Sequence, residues 1–211
     1  MRNNPLRIGI PVLLGLCLAG CATTPPAAFY TLAPLPGAAK SGSVATKQAP
    51  AIGIGPVSFP AFLDRAQLVV RSGSSALSLD ELHRWGGSLQ DDFPRVLGEN
   101  LAYLLSTNRI LLSTSEVRYP VDYRVTVDVL RFEGTDRGEA ELKVRWAVLD
   151  PYTEEILSVR DGFYRDRATT AGPAAMVDAM SRTLGDFSRE LAESIRVIPK
   201  PKRPPVEPQS Y

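Results

Sequence analysis

Residues 121–148 constrain the fold more than any other stretch of the chain. Val121, Tyr123, Val125, Val127 and Val129 alternate with Asp122, Arg124, Thr126 and Asp128. After Gly134-Thr135-Asp136-Arg137-Gly138, the alternation returns through Ala140, Leu142, Val144, Trp146 and Val148. A period of two sends successive side chains to opposite faces, so this is a hairpin with one apolar and one wet face. Asp150-Pro151-Tyr152-Thr153 makes the next turn and Ile156 to Phe163 a third strand, which completes an antiparallel meander. Such a sheet needs a cover on its apolar side.

Two amphipathic helices supply it. Leu82, Trp85, Leu89, Phe93, Val96, Leu97, Leu101, Leu104 and Leu105 recur at steps of three and four. Pro94 interrupts this pattern, because an interior proline lacks the donor a helical turn requires. We therefore expect Asp91 to cap a main segment running to about Ser106, with Pro94 in its first turn; a kink at Pro94 is the alternative. Pro173 opens the second helix, whose stripe is Met176, Val177, Met180, Leu184, Phe187, Leu191, Ile195 and Ile198. Asp178, Arg182, Asp186, Arg189 and Glu193 form its polar face, and the stripe is read as packing on the sheet rather than on lipid.

Upstream, Ile52 to Pro60 alternates apolar and small residues and reads as an edge or first strand, where proline is tolerated. Ala61 to Arg65 is a turn or short helical piece. Gln67 to Arg71 and Ala76 to Leu79 flank a turn at Ser72-Gly73-Ser74-Ser75, and Ile110 to Ser113 is a short strand. The expected class is α+β: a mostly antiparallel sheet with two amphipathic helices packed on one face, in a single domain spanning 51–198. The segment 199–211 begins Pro199-Lys200-Pro201-Lys202-Arg203-Pro204-Pro205, and this composition predicts a disordered, polyproline-like tail.

The N-terminus has a different character. Arg2 and Arg7 precede an apolar run from Ile8 to Leu18, too short for a bilayer span of about 20 residues. This is the layout of a secretory signal over residues 1–20. Leu18-Ala19-Gly20-Cys21 resembles the lipobox of bacterial lipoproteins, whose cysteine thiol takes a diacylglycerol and becomes the mature N-terminus. A plain signal peptide that happens to contain a cysteine is the alternative. The resemblance implies a covalent diacylglycerol and an N-acyl chain on Cys21, with no other cofactor. Ala22, where an aspartate would resemble an inner-membrane retention signal, points to the outer membrane and its periplasmic face. Residues 21–50 then read as a lipidated terminus and flexible tether, rich in Ala, Thr, Pro, Gly and Ser. Phe29-Tyr30-Thr31-Leu32 interrupts it, either as a piece of sheet edge or as an apolar spot in a linker.

Composition narrows the chemistry. The chain has 24 lysines and arginines against 23 acids, and loss of Arg2 and Arg7 leaves 22; such a balance carries no footprint for nucleic acid. With Cys17 in the signal and Cys21 acylated, the domain has no thiol for a disulfide, nucleophile or metal site. His83 is the one histidine, so no multi-histidine metal site can form. It reads as a helix-entry residue packed on tryptophan. Ser74 and Ser75 lack a nucleophile elbow, and Glu154 and Glu155 point apart on a strand, which suits solvation rather than acid/base work. No catalytic set emerges, and the chain is read as a non-enzyme.

Three stretches are similar to the auxiliary lipoproteins of ABC-type transport systems, the family that includes PqiC of the paraquat-inducible pathway. They are Phe29-Tyr30-Thr31-Leu32-Ala33-Pro34; the run through Ile52, Ile54, Pro56, Val57, Pro60, Leu63, Asp64, Arg65, Gln67, Leu68, Val69 and Arg71; and Arg84-Trp85 leading into Leu97, Glu99, Asn100 and Leu101. Pro94 is the departure, and it bears on helix geometry.

The resemblance implies an outer-membrane accessory that works with a permease-like inner-membrane protein and an MCE-domain protein bridging the periplasm, in transport of phospholipid or another lipid. Repeated copies around an MCE tube would favour a homo-oligomeric ring. A chain lacking an ATPase motif or membrane span is then a docking point or cap, with a tether reaching some tens of ångströms at about 5–6 Å × √n. The most specific segment, with Pro60, Leu63, Asp64, Arg65, Gln67 and Arg71, is the candidate contact surface. Against that, Leu63 reads equally as core, and Asp64 with Arg65 as a turn around a salt bridge. Two other roles remain open: assembly or plugging of an outer-membrane β-barrel, and a peptidoglycan-binding module.

Overall fold

The computed structural model describes residues 26–38, 49–113 and 120–202. The signal, Cys21, the rest of the proposed tether and the tail beyond residue 202 lie outside the described residues. Eight strands and two helices follow in order: β1 (Ala28–Tyr30), β2 (Ile52–Ser58), β3 (Gln67–Ser72), β4 (Ala76–Trp85), α1 (Leu89–Leu104), β5 (Ile110–Leu112), β6 (Tyr123–Thr135), β7 (Glu139–Leu149), β8 (Ile156–Arg167) and α2 (Pro173–Val197). A 3-10 turn at Ala61–Leu63 joins β2 to β3. Among the described residues, no helix is long and apolar enough to cross a membrane.

The meander forms as its alternation predicts. β6 pairs antiparallel with β7, and β7 with β8, in nearly continuous register. The long pairs, including β3–β4, are antiparallel, while the short pairs β1–β4, β2–β5, β2–β6 and β3–β6 are parallel. β6 is long enough to divide one edge between two partners. β2 takes Tyr123 to Asp128, and β3 takes Gly134 and Thr135. The sheet therefore forks at β6, with β7 and β8 on its other side.

Both helices cover one face, α2 over β6–β8 and α1 over β2 and β5, and they touch each other. Buried aromatic rings fill the layer between. Phe93 meets Phe132 and Phe59 edge-on at centroid distances of 5.3 and 5.4 Å, and Phe187 lies 6.4 Å from Phe93 and 6.3 Å from Trp146. Each such ring removed from water contributes about 1.5–3 kcal/mol.

Five expectations change. First, Leu82 and Trp85 belong to β4, and α1 starts only after Gly86-Gly87. Ser88 is its cap, with Oγ accepting from the Gln90 N–H at 3.2 Å; Asp91 lies inside the first turn. Pro94 is the sixth residue of the helix, so the Gln90 carbonyl loses a donor without ending the helix. Second, β2 is flanked on both sides at Ile52–Ile54, by β5 and β6. It is not an edge strand. Pro56 is accommodated because the register shifts between Ile54 and Val57, where no ladder donor is needed.

Third, His83 is a strand residue, with Nδ1 2.8 Å from Asp80 and its ring 6.0 Å from that of Tyr30. Glu154 and Glu155 precede β8 in a turn, and Glu154 pairs with Arg124. Fourth, the sheet-edge alternative for Phe29 to Leu32 holds, so the proposed tether 21–50 contains a piece of the fold. β1 adds to β4, and Leu32 and Leu35 are buried. Fifth, the ordered chain runs past residue 198. Tyr123 Oη donates to the Ile198 carbonyl at 2.9 Å, and Lys200 Nζ lies 2.9 Å from Asp122. This ion pair engages the first residues of the proposed tail, and residues 203–211 lie outside the described residues.

Candidate functional site

The segment 60–71 runs from the end of β2 through the 3-10 turn into β3, and its six candidate residues divide into separate roles. Pro60 accepts from the Leu63 N–H at 2.9 Å and so closes the 3-10 turn. Leu63 is core. Asp64 is exposed and makes no ion pair with Arg65 among the described residues; Arg65 is half-buried, with Nε lacking a hydrogen-bond partner. Gln67 Nε2 donates to Glu81 at 3.2 Å. Arg71 turns inward to Glu133, whose carboxylate is fully buried, and its guanidinium lies 5.8 Å from the Phe62 ring centre. Asp64 and Arg65 thus remain as the groups free to meet a partner.

The sheet explains why Arg71 is fixed. In register, Glu133 lies directly across from Glu141, and like charges opposite one another repel. Arginines resolve the conflict from both sides: Arg71 on Glu133, with Arg131 at 3.3 Å and Arg165 at 3.0 Å on Glu141. Arg165 also lies 4.4 Å over the Phe163 ring. The ladder continues outward with Arg145 to Asp161 at 2.8 Å. Between its members runs an open groove of about 360 Å³ lined by Arg71, Arg131, Arg137, Arg165, Glu139 and Glu141. Nothing in the alternation around Phe132-Glu133-Gly134 distinguishes a buried acid from a solvated one, so composition alone does not reveal this pair.

On the helix side, residues 31–35 form a strap in the groove between α1 and α2. The Leu32 N–H donates to Asp92 Oδ2 at 2.7 Å, that of Ala33 to Ser181 Oγ at 3.1 Å, and that of Leu35 to Asn100 Oδ1 at 2.7 Å. Asn100 Nδ2 donates in turn to Ser188 Oγ at 3.0 Å, so one buried amide ties strap, α1 and α2 together. Leu35 fits because residue 185 is glycine; a Cβ there would come within 2.7 Å of its methyl carbon. Asn100 is legible in retrospect as a polar residue lying in line with Leu97 and Leu101.

Titratable groups are structural in character. Partial burial pushes the Asp80 carboxyl up, and hydrogen bonds from His83 and Leu82 outweigh it, leaving the carboxyl below its ordinary range. Asp122 follows the same logic: burial raises it, while the Ala51 N–H, Lys200 and Arg109 hold it down. Burial and then Glu190 push the Tyr164 phenol well up. No group of three or more metal-ligating side chains forms among the described residues.

A sheet backed by two helices, with a filled core and a charge-laddered outer face, makes this a single domain of α+β class. The chain belongs to the ABC-type transport auxiliary lipoprotein component family, whose model matches residues 30–192. This agrees with the resemblance carried by residues 29–34, 52–71 and 84–101. Among solved structures, an uncharacterized protein is similar over 81% of this chain and 99% of its own, with TM-score 0.66 and 15% identity. The protein XCC0632 from Xanthomonas campestris is similar over 78% and 92%, with TM-score 0.59 and 17% identity. At these identities the two structures share the fold. No curated protein matches the chain in sequence.

Proposed function

We propose that this auxiliary lipoprotein is held by acyl chains on Cys21 at the periplasmic face of the outer membrane. There it serves as a non-enzymatic docking or cap component of an intermembrane lipid transport system. Its partners are an MCE-domain protein spanning the periplasm and, through it, a permease-like inner-membrane protein. One observation carries the choice of docking over lipid carriage: Phe93, Phe132, Trp146 and Phe187 fill the layer between sheet and helices, where a carrier would keep an apolar cavity. The contact surface is the rim around Asp64 and Arg65, which the 3-10 turn presents beside the fixed Arg71–Glu133 pair.

The test is crosslinking in cells followed by affinity purification of the tagged full chain and mass spectrometry. Recovery of an MCE-domain protein, lost in Asp64→Ala and Arg65→Ala, is the expected result. Recovery of a β-barrel or of peptidoglycan fragments in its place overturns the docking reading.

A further inference from the structure

The strap fixes where the fold stands relative to its own N-terminus. Four residues lie between Cys21 and Pro26, and the five steps along the chain reach at most about 18 Å at 3.3–3.6 Å per residue. A domain of this size has a radius of gyration of about 15 Å. A lead so short cannot let the far side of the domain turn toward the point of attachment.

The register of β1 gives the direction. Ala28, Phe29 and Tyr30 run parallel to His83, Arg84 and Trp85, so the chain before Ala28 heads back past the residues before His83, toward Leu79 and Leu77. Arg84 is in register with both Phe29 and Gln67, Leu79 with Val69, and Leu77 with Arg71. Side chains two apart on a strand share a face, so Phe29, Leu79 and Leu77 lie on one side of this corner. All three are exposed, Phe29 by 66%. The nearby charges are compensated: Arg84 lies 3.3 Å from Glu81, and His83 pairs with Asp80. An aromatic and two leucines at a charge-neutral corner, next to the attachment point, match the headgroup–acyl boundary of a bilayer.

We propose that the β1–β4 corner rests on the membrane that carries the acylated Cys21, with Phe29, Leu77 and Leu79 entering the headgroup layer. This rests on the lipid-anchor reading above. The corner sets orientation and the acyl chains hold the protein down. The rim at Asp64 and Arg65, on the segment leading into β3, is thereby kept close to the leaflet.

The test uses the full lipidated chain in vesicles of phosphatidylethanolamine and phosphatidylglycerol containing a nitroxide-labelled lipid. Single cysteines at Ala27→Cys, Leu77→Cys and Glu193→Cys, in a Cys17→Ser background, carry an environment-sensitive fluorophore. The proposal expects several-fold stronger quenching at 27 and 77 than at 193, little changed by salt. It also expects the signal at 77 to be lost in Phe29→Glu, and on insertion of a long Gly/Ser spacer after Ala22, while the protein still floats with vesicles. Equal quenching at 77 and 193 in protein that floats overturns the corner proposal alone. A chain that does not float, with no diacylglycerol on its Cys21 peptide, overturns the anchor reading and this inference together.

Discussion

Asn100→Ala isolates the contribution of the strap. Asn100 is fully buried, and among the described residues its amide oxygen is the one acceptor of the Leu35 N–H. Truncation leaves that N–H orphaned away from water, which costs about 1–3 kcal/mol. It also leaves a small void between the helices, worth roughly 1 kcal/mol. Ser188 Oγ keeps its bond to the Leu184 carbonyl at 2.7 Å, so the loss on that side is small. The sum is about 2–4 kcal/mol. For a domain of this size each kcal/mol shifts Tm by about 2–4 °C, so the midpoint should fall by roughly 4–16 °C. Urea denaturation gives the energy, and native-state hydrogen exchange shows where it acts: amides of Leu32, Ala33 and Leu35 should lose protection before those of β6 and β7. A loss below about 1 kcal/mol, or unchanged protection at Leu35, would refute the assignment of Asn100 as the strap's tie.

Arg71→Ala should destabilise the fold by about 3 kcal/mol, since it leaves Glu133 charged and buried, whereas Arg71→Met with Glu133→Leu should recover most of the loss in urea denaturation. A stable Arg71→Ala protein that fails only in partner capture would make Arg71 a contact residue instead. Asp122 gives a pH signature. Its folded carboxyl lies below the ordinary range, so its contribution is present above about pH 4 and lost as the pH falls through the folded value. Asp122→Asn should therefore cost about 1–2 kcal/mol at pH 7, with the gap to wild type narrowing below about pH 4 in denaturation curves.

The meander, β5, the β3–β4 hairpin and α2 were legible because period and turn chemistry agree along them. Leu82 and Trp85 misled because a strand with an irregularity, here the register shift opposite Gln67-Leu68, can place apolar residues at helical spacing. The Gly86-Gly87 pair was the local signal that strand and helix are distinct. Pro56 argued for an edge strand, and a register shift inside β2 removed the conflict. Phe29 to Leu32 left sheet edge and linker both open, because what orders the strap after β1 comes from distant side chains: Asp92, Asn100 and Ser181. In the segment 60–71, Leu63 was readable as core and is buried, while the inward turn of Arg71 to Glu133 depends on a cross-strand partner 62 residues away that no local pattern shows.

The strap also decides how the fold bears force. A pull applied upstream of residue 28 enters first through the three residue pairs of β1 and β4. It then reaches the tethers at Leu32, Ala33 and Leu35 one after another, before any strand of the meander is loaded. The N-terminal segment works as a peelable fastening in series with a stiff body. Tension is spent rung by rung at the periphery, and β6 to β8 keep their shape while it is spent.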